Sequence, residues 1–240
     1  MLAAILFRAV QAGLAVGLIV AVVHQLWTVP LILRAETYER AAETSAPGAT
    51  AHDHDAAHDQ DDGGWKPAKG FERIGFTALA DILTAIGFAL LLSGAYVLSG
   101  RDVAWREGIV WGLAGFAAFA LAPSLGLPPA LPGMPETALG PRQAWWIATA
   151  ALTAAGLALL FLHRRPWSIG LAVLLIAAPH LWGAPPPSTE ASAVPASLWR
   201  SFVIAATATN LLSWVLLGAL TGYLHQRDAR RDARELEAQH

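Results

Sequence analysis

Charge is nearly absent from most of this chain. Of its 34 charged residues, 14 fall in Arg34–Arg73 and 8 in Arg227–His240, leaving 12 for the other 186 positions. A soluble domain carries about 25% charged residues, and no water-facing surface can be built at so much lower a density. The pattern excludes a soluble enzyme, a nucleic-acid binder and a disordered chain, and no basic stripe with interleaved aromatics marks a nucleic-acid surface. What remains is an all-α membrane protein with several spans.

Six apolar segments meet or approach the roughly 20 residues that cross the ~30 Å hydrocarbon layer. They are Ala9–Leu33, Ile74–Leu98, Gly108–Leu127, Ala144–Leu162, Trp167–Trp182 and Leu198–Leu224. The third crosses only by running through Pro123, and the fifth is short, with Pro179 near its end. Short, proline-interrupted spans are tolerated where backbone lines a cavity, and they point to a transporter's binding site. The first run is too long for a signal peptide and lacks a small-residue cleavage site, so it reads as a retained span. Tryptophans near the ends of the runs suit the interfacial belt. The expected organisation is one six-helix membrane domain over residues 1–224, with an external His/Asp-rich loop at 34–73, then a charged tail at 225–240.

Orientation follows from arginines in the short loops. With the N-terminus inside, Arg8, Arg101, Arg106, Arg164, Arg165, Arg227, Arg230, Arg231 and Arg234 lie inside, against Arg142 and Arg200 outside. Both termini are therefore expected in the cytoplasm and 34–73 outside, which for a bacterial chain is the periplasmic side of the inner membrane. The basic tail enforces that orientation and offers a contact to anionic lipid.

Three helical hairpins repeat in tandem in this reading. Asp81–Leu91 (DILTAIGFALL) lies in register with Ala150–Leu160 (AALTAAGLALL), with a weaker echo at Asn210–Ser213. The outer ends of the odd helices rhyme as well, at His24–Pro30, Ala122–Pro129 and Ala178–Pro185. Gly13/Gly17, Gly108/Gly112 and Gly218/Gly222 have the spacing that lets helices approach closely.

Two groups of residues carry chemistry. In the outer loop, His52, Asp53, His54, Asp55, His58 and Asp59 stand close together among further aspartates. Imidazole and carboxylate without any thiolate suit divalent first-row ions such as Co²⁺, Ni²⁺ or Zn²⁺. The competing reading is an acidic solvated loop whose histidines do nothing. Within the spans, His24, Asp81, His180 and Asn210 lie at similar depth, roughly 5–17 Å below the outer surface at 1.5 Å per residue. Polar groups at such depth are functional candidates by default. Pro30, Pro123 and Pro179 each remove a donor and free a carbonyl one turn earlier, at Leu26, Phe119 and Leu175. The structural alternative has Asp81 and Asn210 bonding neighbouring helices and the histidines bridging at the interface.

These motifs together resemble the CbtA family, predicted cobalt transporter subunits, over essentially the whole chain. The resemblance rests on HQLWTVPLILRAETYE (His24–Glu39), the His-rich loop, WGLAGFAAFALAPSLGLPPALPGMP (Trp111–Pro135), RQAWW (Arg142–Trp146), PHLWGAP (Pro179–Pro185) and LGALTGYL (Leu217–Leu224). It implies a bacterial inner-membrane protein that works with a small single-span, His-bearing partner, CbtB, in cobalt uptake for cobalamin synthesis. This chain has three loop histidines, fewer than a typical long His run.

The expected function is capture of Co²⁺ or Ni²⁺ by the loop and passage along His24, Asp81, His180 and Asn210. A metal receptor or assembly subunit that hands the ion to a partner permease is the alternative. An electron-transfer reading, with His24 and His180 as axial haem ligands, lacks a second histidine pair. No hydrolase element (G-x-S-x-G or H-E-x-x-H) and no GxxxxGK[ST] nucleotide-binding loop is present, so no enzyme activity and no resident cofactor are expected.

Overall fold

A computed structural model describes residues 2–45, 70–162, 165–189 and 191–237. The loop ligands His52, Asp53, His54, Asp55, His58 and Asp59 fall outside the described residues. Among the described residues six helices run up and down. Helix α1 comprises Leu2–Val23, a π-helical turn His24–Thr28 and a continuation Val29–Ser45. Then come α2 (Phe71–Ser99), α3 (Trp105–Phe116, a π-helical turn Ala117–Leu121, then Ala122–Gly126) and α4 (Leu139–Leu162). Helices α5 (Pro166–Trp182) and α6 (Ala196–Glu237) complete the bundle.

Five of these helices are long and apolar enough to cross a membrane, and α5 is a sixth, shorter apolar helix. Their outer faces expose large apolar side chains such as Leu18, Val22, Leu83, Ile147, Val173 and Ile204. In a protein that spans the bilayer these faces meet lipid. Two helices outrun the expected spans. The 40-residue stretch Ile5–Thr44 rises about 60 Å, twice the hydrocarbon thickness, so α1 continues through residues expected to open the loop. The reason is local: Arg34–Ser45 (RAETYERAAETS) is rich in Ala, Glu and Arg, which favour helix, and Glu36 pairs with Arg73 at 2.6 Å. At the other end α6 carries the charged tail as helix to Glu237. The end where α1 begins and α6 ends is the terminal face, and the opposite end the loop face.

The helices pack as α1 with α2, α3 with α6 and α4 with α5. The first hairpin of the sequence repeat is thus a packed pair, whereas α3 takes the distant α6 as its main partner. Small residues explain the choice. A Cβ on Gly108 would strike the carbonyl of Gly218, one on Gly112 the carbonyl of Trp214, and one on Gly222 the carbonyl of Ala104. Backbone lies against backbone, the close approach that small residues permit in membrane helices. The same means seats α1 on α2, where Gly13 and Gly17 receive Ile86 and Ile82. Sequence likeness and packing partnership therefore differ after the first hairpin.

The core joins α1, α2, α3 and α6: Ala9, Ala12, Val16 and Val20 meet Ala85, Ala89, Leu92 and Tyr96, closed by Phe116, Trp214 and Leu217. At the loop face a second cluster joins Ala35, Leu131, Val194 and Phe202. There Trp199 Nε1 donates to the Pro129 carbonyl at 3.0 Å and the Ala193 N–H to the Gly133 carbonyl at 3.0 Å. Gly133 has φ 76° and faces Glu39 of α1, so this turn needs its glycine. These connections hold the loop-face end of α1 in place.

Candidate metal site in the helix bundle

Two of the helices change hydrogen-bond register at the same place relative to a proline. In α1 the Val29 N–H donates to the His24 carbonyl, five residues back, and Pro30 follows. In α3 the Ala122 N–H donates to the Ala117 carbonyl, and Pro123 follows. Proline has no N–H and its ring presses on the preceding turn, and widening that turn to a π-bulge relieves the conflict. The widening shifts the freed oxygen from the position the prolines alone suggest. The Gln25 carbonyl loses its usual donor, Val29, to His24, and the next residue is Pro30. The Ala118 carbonyl stands in the same relation to Ala122 and Pro123. These turns also set the register between α1 and α3 by Pro30 and Pro123, which is not the register of the rhyming end motifs.

His24 opens the π-turn of α1, and it stands on the Gly13/Gly17 stripe that faces α2. Nδ1 lies 3.1 Å from Asp81 Oδ1 and 3.0 Å from Oδ2, so the imidazole straddles the carboxylate. The two side chains are 26% and 15% exposed, neither sealed from the surroundings nor bathed in them. Buried Thr28 donates to the His24 carbonyl at 3.1 Å and fixes the same turn. A carboxylate can only accept, so in a neutral imidazole Nδ1 carries the hydrogen and Nε2 presents its lone pair. That is the arrangement in which a carboxylate orients a metal-ligating histidine and raises its basicity. From the Glu36–Arg73 bridge, the pair lies roughly 12–18 Å down the two helices at 1.5 Å per residue.

The other two intramembrane candidates sit elsewhere. His180, in the last turn of α5, meets the Trp145 ring edge-on at 5.9 Å, and Trp145 Nε1 donates to the neighbouring Pro179 carbonyl at 3.2 Å. Asn210 is exposed and donates from Nδ2 to the Ala206 carbonyl of its own helix at 3.1 Å. It lines a cavity of about 190 Å³ with Ser124, Trp146 and Thr207 beside the α3 π-turn. The structure joins His24 to Asp81 and places His180 and Asn210 in separate surroundings. Among the described residues no three His, Asp or Glu side chains gather as a metal-ligating group.

Sequence reading missed a polar network at the terminal face. Arg8 Nη1 donates to His225 Nδ1 at 3.0 Å, and Arg8 Nε lies 3.5 Å from Asp228 Oδ2. The Tyr96 hydroxyl bonds Thr221 at 2.9 Å beneath the His225 ring. The available signal was Arg8, the one charge in the first 33 residues, which needs a partner from another helix end.

The fold and this pair define a class: a multi-pass helical membrane protein with a histidine–carboxylate pair within its spans. The family model described as "Probable cobalt transporter subunit (CbtA)" matches residues 2–226, and the chain belongs to that family. The family is one of transporter subunits and not of enzymes. No curated protein and no solved structure matches the chain.

Proposed function

We propose that this subunit takes up divalent cobalt, with His24 Nε2 as the intramembrane ligand and Asp81 as the carboxylate that orients it. The observation that carries this reading is the bidentate approach of Asp81 to His24 Nδ1 at a π-turn. Imidazole suits Co²⁺ and Ni²⁺ alike. The choice of cobalt rests on the family. The Gln25 carbonyl, released by Pro30, supplies an oxygen ligand next in the chain to His24. In this reading His52, Asp53, His54, Asp55, His58 and Asp59 collect ions on the periplasmic side of a bacterial inner membrane. The ion then reaches His24, and His180 and Asn210 serve as further polar stations. Both termini lie in the cytoplasm.

Two ligands on one chain do not complete a metal's coordination, and the family is described as a subunit. A small single-span CbtB-like protein supplying another imidazole would complete it. The same observation favours a second reading, in which this chain is a metal receptor that hands the ion to a partner permease.

Asp81→Asn tests the proposal, because it keeps shape and hydrogen bonding while removing the charge. The variant should reach the membrane in normal amount and need 10–100-fold more Co²⁺ for half-maximal uptake, the usual effect of losing such an orienting carboxylate. Wild-type uptake by Asp81→Asn would leave the residue with a purely structural role. Uptake by the purified chain alone in liposomes separates permease from receptor. A cysteine at Ala57 of this cysteine-free chain should react with an impermeant thiol reagent from the periplasmic side, and one at Ala229 should not.

A further inference from the structure

A groove of about 380 Å³ opens on the terminal-face half of the bundle between α2, α3 and α4. It exists because α4 packs on α3 mainly at and beyond the π-turn, while α2 and α3 barely touch there. Its walls are apolar, formed by Leu91, Ala95, Val110, Ala114, Leu157 and Phe161. Its two charged lining residues, Arg101 and Glu107, are exposed. The far end closes where Phe119 stacks on Trp214 at 5.6 Å and reaches Trp146 at 6.3 Å.

We infer that this groove holds one acyl chain of an amine-headgroup phospholipid, with the phosphate at Arg101 and the amine at Glu107. Length decides between a lipid tail and a helix. From Glu107 to Ala118, both on the groove wall, α3 climbs roughly 17 Å at 1.5 Å per residue. That is one leaflet of the ~30 Å hydrocarbon layer, the reach of a single acyl chain, whereas a transmembrane partner needs the full thickness. The volume lies within the roughly 300–1,000 Å³ of small-molecule sites.

Charge selects the headgroup. Arg101 commits one donor, Nη2, to the Phe161 carbonyl at 3.4 Å, and a guanidinium has five N–H donors in all. The rest can meet a phosphate. Glu107 repels a purely anionic headgroup and accepts from a primary ammonium. A quaternary amine has no N–H to give it.

The test is native mass spectrometry of the full-length protein exchanged into phosphatidylethanolamine, phosphatidylcholine or phosphatidylglycerol. One phosphatidylethanolamine should be retained, preferred over the other two by roughly tenfold, the worth of one charge-assisted hydrogen bond. Glu107→Gln should remove the preference over phosphatidylcholine and Arg101→Gln should weaken retention of all three. Both residues are exposed, so both variants should fold. Ala158→Trp, filling the groove, should evict the lipid from a protein that still elutes as a single species. A photo-crosslinking residue at Ala158 should give a lipid adduct. Equal retention of the three lipids, an unchanged preference in Glu107→Gln, or a protein adduct at Ala158 would each overturn the inference.

Discussion

The π-turns of α1 and α3 use one backbone arrangement for opposite ends. In α1 the turn opens with His24, and the facing helix carries Asp81 at 3.0 Å. In α3 the turn opens with Ala117, and the facing α6 carries Trp214, 2% exposed and packed between Phe88 and Phe119. One pair of helices sets an imidazole against a carboxylate at its turn, and the other packs glycine and aromatic rings there, with the Asn210 cavity beside it. A proline-widened turn frees an oxygen in both places, so the bulge alone makes no metal site. The side chain that it presents and the group that waits opposite decide the chemistry.

Breaking the lock should have the largest effect. Gly218→Leu would drive a side chain into the Gly108 carbonyl and the Gly112 backbone. Overpacking commonly costs about 1–3 kcal/mol and more against rigid backbone. The variant should give little monodisperse protein on extraction, while Gly87→Leu on α2, where a Cβ meets open space, should behave as wild type. Equal yields would show that the α3–α6 contact does not hold the bundle.

Breaking the site should leave the fold intact and remove function. His24→Ala deletes the proposed ligand but not the Gly13/Gly17 seat of α1 on α2. The protein should insert normally and lose Co²⁺ uptake at every metal concentration. Retained uptake would move the search to His180 and Asn210.

The smallest effect belongs to the loop. Ligands away from the intramembrane site raise local ion concentration without setting the limiting step. Replacing His52, His54 and His58 together by Ala should reduce uptake several-fold at scarce metal and leave it near normal at saturation. Complete loss at saturating metal would make the loop the gate.

Twelve charges in 186 residues, with six apolar runs of near-spanning length, made the all-helical membrane architecture legible. The charge map also singled out His24 and Asp81, since polar groups are scarce within the spans. Their pairing was not legible. His24 continues the Gly13/Gly17 stripe of α1 at helical spacing, but spacing alone does not say which helix that stripe meets or that Asp81 stands opposite. The partnership of α3 with α6 was hidden for a related reason. Gly108, Gly112, Gly218 and Gly222 could be read as close-packing residues, but which glycines meet is settled by the whole bundle. The terminal-face network of Arg8, His225 and Asp228 was missed because its members lie at opposite ends of the chain.

The central claim is that His24, oriented by Asp81, is an intramembrane metal ligand separate from the loop. It is tested most directly by equilibrium Co²⁺ binding to the purified full-length protein carrying His52→Ala, His54→Ala and His58→Ala. The account predicts that one Co²⁺ site remains in this background, disappears with His24→Ala and weakens by 10–100-fold with Asp81→Asn. A remaining site of unchanged affinity in both His24→Ala and Asp81→Asn would contradict it.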